Sequence, residues 1–134
     1  MLRSLLALAA VAGVAATADA FPQFQKQFLI VYAGEDSNPD FAVVVKDAKC
    51  FVCHQGKKKT NRNPYGEALH EYIGKKDRKD DAKIQDALAK VAEQSSNPDD
   101  PAAPKFGDLI AEGKLPGGDL EQAQQEPEDL EEEE

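Results

Sequence analysis

"KCFVCHQGKKKTNRNPYGEAL" occupies positions 49–69, and its first residues decide how the rest of the chain is read. Cys50 and Cys53 stand three positions apart, His54 follows directly, and the chain has no other cysteine. The order C-x-x-C-H is the pattern of covalent c-type haem attachment. The physical reason is reach. Two intervening residues set the thiols about one helical turn apart, so they meet the two vinyl groups of one porphyrin. The next side chain, His54, is then directed under the iron as proximal ligand. Two other readings stay open from these residues alone. A disulfide or thioredoxin-like redox pair needs a βαβ context that the chain does not offer. A zinc site would draw on Cys50, Cys53, His54 and His70, at a spacing that fits no zinc pattern.

The N-terminus bears on the choice, because haem c is assembled outside the bacterial cytoplasm. Arg3 precedes the apolar run Leu5 to Ala16, and Ala18-Asp19-Ala20 has small residues where a signal peptidase needs them. The run is short for a membrane span, which takes roughly 20 apolar residues. Residues 1–20 are therefore expected to be a signal peptide, the mature chain to begin at Phe21, and the protein to be periplasmic or secreted. No later segment is apolar enough to span a bilayer, so no integral span is expected after cleavage.

The formal net charge is −9, and it is unevenly placed. From Gly117 to Glu134 there are nine acids and no lysine or arginine, while the body before it nearly balances. That pattern predicts a folded unit over 21–116 and a disordered acidic tail over 117–134. Export and an acidic total make nucleic acid a poor partner.

Periodicity predicts short helices. Phe24, Phe28 and Tyr32 recur every four residues, with Phe21 and Val31 beside them, and Gly34 ends the run. Phe41, Val44, Val45 and Ala48 form a second helical face that runs into the motif, although the β-branched Val43 to Val45 would also suit a strand. A basic loop follows, then a helix from Pro64 to Ile73 stopped by Gly74. Ile84, Ala87, Leu88 and Val91 line the clearest amphipathic helix, capped by Asp80 or Asp81. A loop with three prolines leads to a helical turn at Phe106 to Ala111.

The signal peptide, the helix leading into C-x-x-C-H and the small helical body together resemble a monohaem c-type cytochrome. More narrowly, Lys49 to Leu69 is similar to small exported bacterial cytochrome c domain proteins, in which C-x-x-C-H, a glycine, a lysine run and N-x-Y-G recur together. The resemblance implies an all-α, cytochrome c-like domain around one covalent haem c held by Cys50, Cys53 and His54. It implies single-electron transfer to a redox partner protein, with no catalytic residue, because the chemistry is the cofactor's.

The distal side departs from the commonest pattern, which uses a methionine. The only methionine is Met1. His70, a lysine, water or an empty position remain as candidates. On a helical wheel the apolar face of Pro64–Ile73 centres on Tyr65, Leu69 and Tyr72, and His70 falls off it. The wheel thus leans narrowly against His70 as the distal ligand. An open site would favour a second function, a haem-based binding or sensing protein for a small ligand. A peroxidase-like enzyme comes third, since no distal acid–base pair is evident. Asn61 and Arg62 are candidates for the haem propionates, and Asn63 for a cap. Lys57 to Lys59, Arg62, Lys75, Lys76, Arg78 and Lys79 form two basic clusters that would steer an acidic partner or hold the acidic tail.

Overall fold

The computed structural model describes residues 21–127. The expected signal peptide and residues 128–134 of the expected tail lie outside the described residues. Helix α1, Pro22–Tyr32, starts with a proline in its first turn, where the missing N–H costs nothing. It buries Gln27 and Phe28 but leaves Ile30 and Val31 exposed, so Val31 does not belong to the apolar face. Helix α2, Pro39–Ala48, is capped by Asn38, whose side-chain oxygen accepts from the Asp40 N–H at 3.0 Å. Phe41, Val45 and Ala48 share its buried face, while Val43 is 58% exposed. Capping and helical spacing here outweigh the strand preference of three successive valines.

Lys49 ends α2 with φ 52° and ψ −120°. A non-glycine residue in such a conformation costs on the order of 1–3 kcal/mol. The strain turns the chain into a 3-10 turn, Lys49–Val52, that presents Cys50. Two very short strands follow, β1 at His54–Gln55 and β2 at Asn61–Arg62. They pair antiparallel, with His54 opposite Arg62 and Gln55 opposite Asn61. This ladder was not expected from the basic loop; two residues per strand carry no periodic signal.

Helix α3, Pro64–His70, stops short of the expected Ile73. Ile73 closes the following turn through its N–H to the Leu69 carbonyl, and Tyr72 is left 37% exposed. The charged connector contains a 3-10 turn, Lys75–Asp77, stapled by Asp77, which accepts from Lys83 Nζ at 2.6 Å and from the Gly74 N–H at 2.9 Å. Helix α4, Asp81–Ala92, is capped by Asp80 and buries Ile84, Ala87, Leu88 and Val91, as its amphipathic pattern requires. Helix α5 is Phe106–Ala111 and helix α6 is Leu120–Gln124.

The described chain is mainly helical, with α4 at its centre. Helices α1, α3 and α5 all pack on α4. Tyr32 donates its hydroxyl to the Leu88 carbonyl at 3.1 Å, and Gln85 donates to the buried Gln27 at 2.7 Å, so α1 is pinned to α4 at two heights. Phe28, Tyr65 and Phe106 form an edge-on aromatic chain at 5.8 and 5.3 Å between ring centres. The Tyr65 hydroxyl is buried without a hydrogen-bond partner among the described residues. No helix among the described residues is long and apolar enough to cross a membrane.

The tail expected to be disordered from Gly117 is, up to residue 127, folded onto the body. Ala123 in α6 is buried, and its carbonyl accepts from the Gly56 N–H at 2.8 Å. Glu126 accepts from the Lys57 N–H at 3.0 Å. Leu120 joins the edge of the core. Charge composition pointed to solvation, but two apolar side chains and two backbone donors left over in the basic loop suffice to dock the segment. The folded unit therefore continues past Pro116.

Candidate functional site

A cavity of about 490 Å³ opens between α1, the C-x-x-C-H turn and α3. That volume falls within the roughly 300–1,000 Å³ usual for cofactor and small-molecule sites. Phe21, Phe24 and Phe28 form one wall, and Cys50, Val52, Cys53 and His54 a second. Gly66, Leu69, His70 and Ile73 form a third, while Lys49, Arg62 and Lys75 add positive charge. The lining is thus largely apolar, with the chemistry concentrated in two thiols and two imidazoles.

The turn that carries the thiols is held from behind by Asn63, which is 1% exposed. Its Nδ2 donates to the carbonyls of Phe51 and Val52 at 3.1 and 3.0 Å, and its Oδ1 accepts from the Gly66 N–H at 2.9 Å. Its own N–H donates to the Cys53 carbonyl at 3.0 Å. One side chain thus caps α3 and fixes the backbone between the two cysteines. Gly66 completes the fit: a β-carbon there would run into the Cys53 carbonyl, so only glycine lets α3 lie directly on the turn. The N-P-Y-G sequence and the C-x-x-C-H sequence are two halves of one packed unit.

His54 is partly buried and sits on β1. Its Nδ1 lies 3.2 Å from the Asn61 carbonyl, a bond made possible by the short β1–β2 ladder. In the tautomer that donates Nδ1–H to this carbonyl, Nε2 keeps its lone pair, and such second partners orient metal-binding histidines. Cys50 and Cys53 are free thiols. Burial, with Cys50 adding to it, pushes the Cys53 thiol up to about 12. A redox-active C-x-x-C pair shows the opposite, a thiol lowered into the physiological range. Among the described residues no group of three or more His, Cys, Asp or Glu side chains is placed to hold a metal ion by itself.

The four residues singled out from the sequence, Cys50, Cys53, His54 and His70, all line this cavity. The wheel set His70 off the buried face of α3, and its side chain is exposed there, yet the residue also borders the cavity. The side of α3 that meets the cavity carries Gly66 and His70, with Ile73 just beyond the helix, while Tyr65 on another face enters the core. Asn61 contributes its backbone carbonyl to His54. Arg62 lies 3.7 Å from Glu67, and Lys59 sits over the Phe51 ring at 5.4 Å. The basic loop does hold the acidic segment, but through the backbone N–H of Lys57. The roles of Asn63 and of Glu126 went unread, since a cap signature says nothing about what the other side of the amide reaches. Comparison of the chain with protein-family models, with curated proteins and with solved structures returned no match, so the chemistry of the site rests on its own residues.

Proposed function

We propose that the protein is an exported monohaem c-type cytochrome that carries single electrons, with haem c held by Cys50 and Cys53 and ligated by His54. The observation that carries this reading is the convergence of two free thiols and a histidine on one largely apolar cavity of cofactor size, with Nδ1 of that histidine held by a backbone carbonyl. The residues present fit haem c: the thiols face an apolar space, and the imidazole has a nitrogen to spare.

The chain's own contribution is attachment, orientation and seclusion. Cys50 and Cys53 would hold the haem covalently, each thiol adding as S–H across one vinyl group with no atom lost and no net electron needed. Asn63 and Gly66 keep the turn rigid, so that both thiols and His54 keep their places. The Asn61 carbonyl holds Nδ1–H of His54 and raises the basicity of the other nitrogen. The Phe21, Phe24 and Phe28 wall excludes water, which bears on potential and on solvent access. Iron in the bound haem supplies the one-electron couple. Lys49, Arg62 and Lys75 put positive charge at the same cavity, suited to an acidic redox partner.

The test is expression in a host that matures c-type cytochromes, with Cys50→Ala and Cys53→Ala as variants. Wild type should keep its haem through denaturing electrophoresis, and the double variant should lose it. A wild-type chain that releases all its haem on denaturation would refute the reading.

A further inference from the structure

We propose that His70 is the second axial ligand, so that the centre is bis-histidine, closed and suited to electron transfer rather than to capture of a small ligand. The inference rests on the haem reading and deepens it. The cavity wall contributed by α3 starts at Gly66, whose backbone lies against the Cys53 carbonyl. His70 comes one helical turn later on the same face, about 6 Å further along the axis. The helix is thus anchored on the attachment turn at one end and offers an imidazole to the same cavity at the other. That imidazole makes no hydrogen bond or ion pair with another described residue, and its side chain is exposed in the chain alone.

Other donors fit less well. No methionine follows Met1. Outside the motif, the remaining nitrogen-bearing cationic side chains on the cavity are Lys49, Arg62 and Lys75. A guanidinium has no lone pair to offer. An ammonium must first be deprotonated, whereas an imidazole presents a lone pair near neutral pH and is the commonest metal-binding side chain. The strained backbone at Lys49 also commits that residue to the turn into Cys50.

The experiment uses the mature haem-loaded protein. Ferric and ferrous absorption and low-temperature electron paramagnetic resonance should be low-spin in wild type. His70→Ala should shift the ferric protein to high spin, and added imidazole should restore the low-spin spectrum. A second measurement needs no variant. The chain has only two histidines, and in ¹⁵N-histidine-labelled wild type both should show iron-induced shifts. One shifted histidine, a high-spin wild type or a His70→Ala spectrum like wild type would overturn the assignment while leaving covalent haem intact. A chain without covalent haem would instead overturn the reading beneath it.

Discussion

Asn63 Nδ2 lies 3.0 Å from the carbonyl of Val52, one of the two residues that separate the cysteines in sequence. The same amide also donates to Phe51 and accepts from Gly66, deep enough that water cannot replace it. Asn63→Ala should therefore leave two carbonyls and one N–H unpaired and lower stability by about 3 kcal/mol. Asn63→Asp keeps the cap on Gly66 and loses the donors, so it should fall between. Urea unfolding of the haem-loaded protein measures both, and equal stability of Asn63→Ala and wild type would contradict the role.

Gly66→Ala offers a second probe of the same contact. In an exposed helix this change gains about 1 kcal/mol. Here the new methyl meets the Cys53 carbonyl, so α3 must lift from the turn. Net destabilisation and a lower yield of haem-loaded protein are expected. A gain in thermal midpoint would show that the two segments do not pack so closely.

The acidic segment can be cut at two places. Ending the chain after Pro116 removes the Ala123–Gly56 and Glu126–Lys57 hydrogen bonds and the cover over Asn63, where Gly117 packs against the amide. A loss of about 2–3 kcal/mol is expected, or on the order of 10 °C or more in the midpoint for a domain of this size. Ending it after Pro127 keeps all of these contacts and serves as control. Equal midpoints for the two truncations would mean that the strap is energetically idle.

Asp77 predicts a pH effect. Hydrogen bonds from Lys83 and then from the Gly74 N–H hold its carboxyl below the ordinary aspartate value. A carboxylate depressed in the folded state adds stability that is present above the unfolded pKa and lost as pH falls through the folded one. Stability should thus drop on acidification from about pH 5 downward. Asp77→Asn should flatten that part of the profile. Parallel profiles for the two proteins would remove Asp77 from the account.

The main helices were legible because periodicity and capping agreed. Asp80 before Ile84, Ala87, Leu88 and Val91 marks α4 at both levels, and the structure follows it. The grouping of Cys50, Cys53 and His54 on one cavity was legible because the C-x-x-C-H spacing marks the three residues together. Three features were not. The β1–β2 ladder is too short to show alternation. The exposure of Tyr72, apolar on a wheel, comes from its hydroxyl, which accepts from Gln94 at 2.6 Å. The docking of 117–127 depends on donors at Gly56 and Lys57 that are left over by tertiary structure, and local composition carries no trace of them.

Covalent attachment is the claim on which the rest depends, and intact mass tests it most directly. The mature chain is purified from a maturation-competent host, extracted with acid and acetone, and weighed. The account predicts the chain plus one whole haem, because addition of each thiol across a vinyl group loses no atoms. An unmodified chain mass with all haem in the organic phase would contradict it.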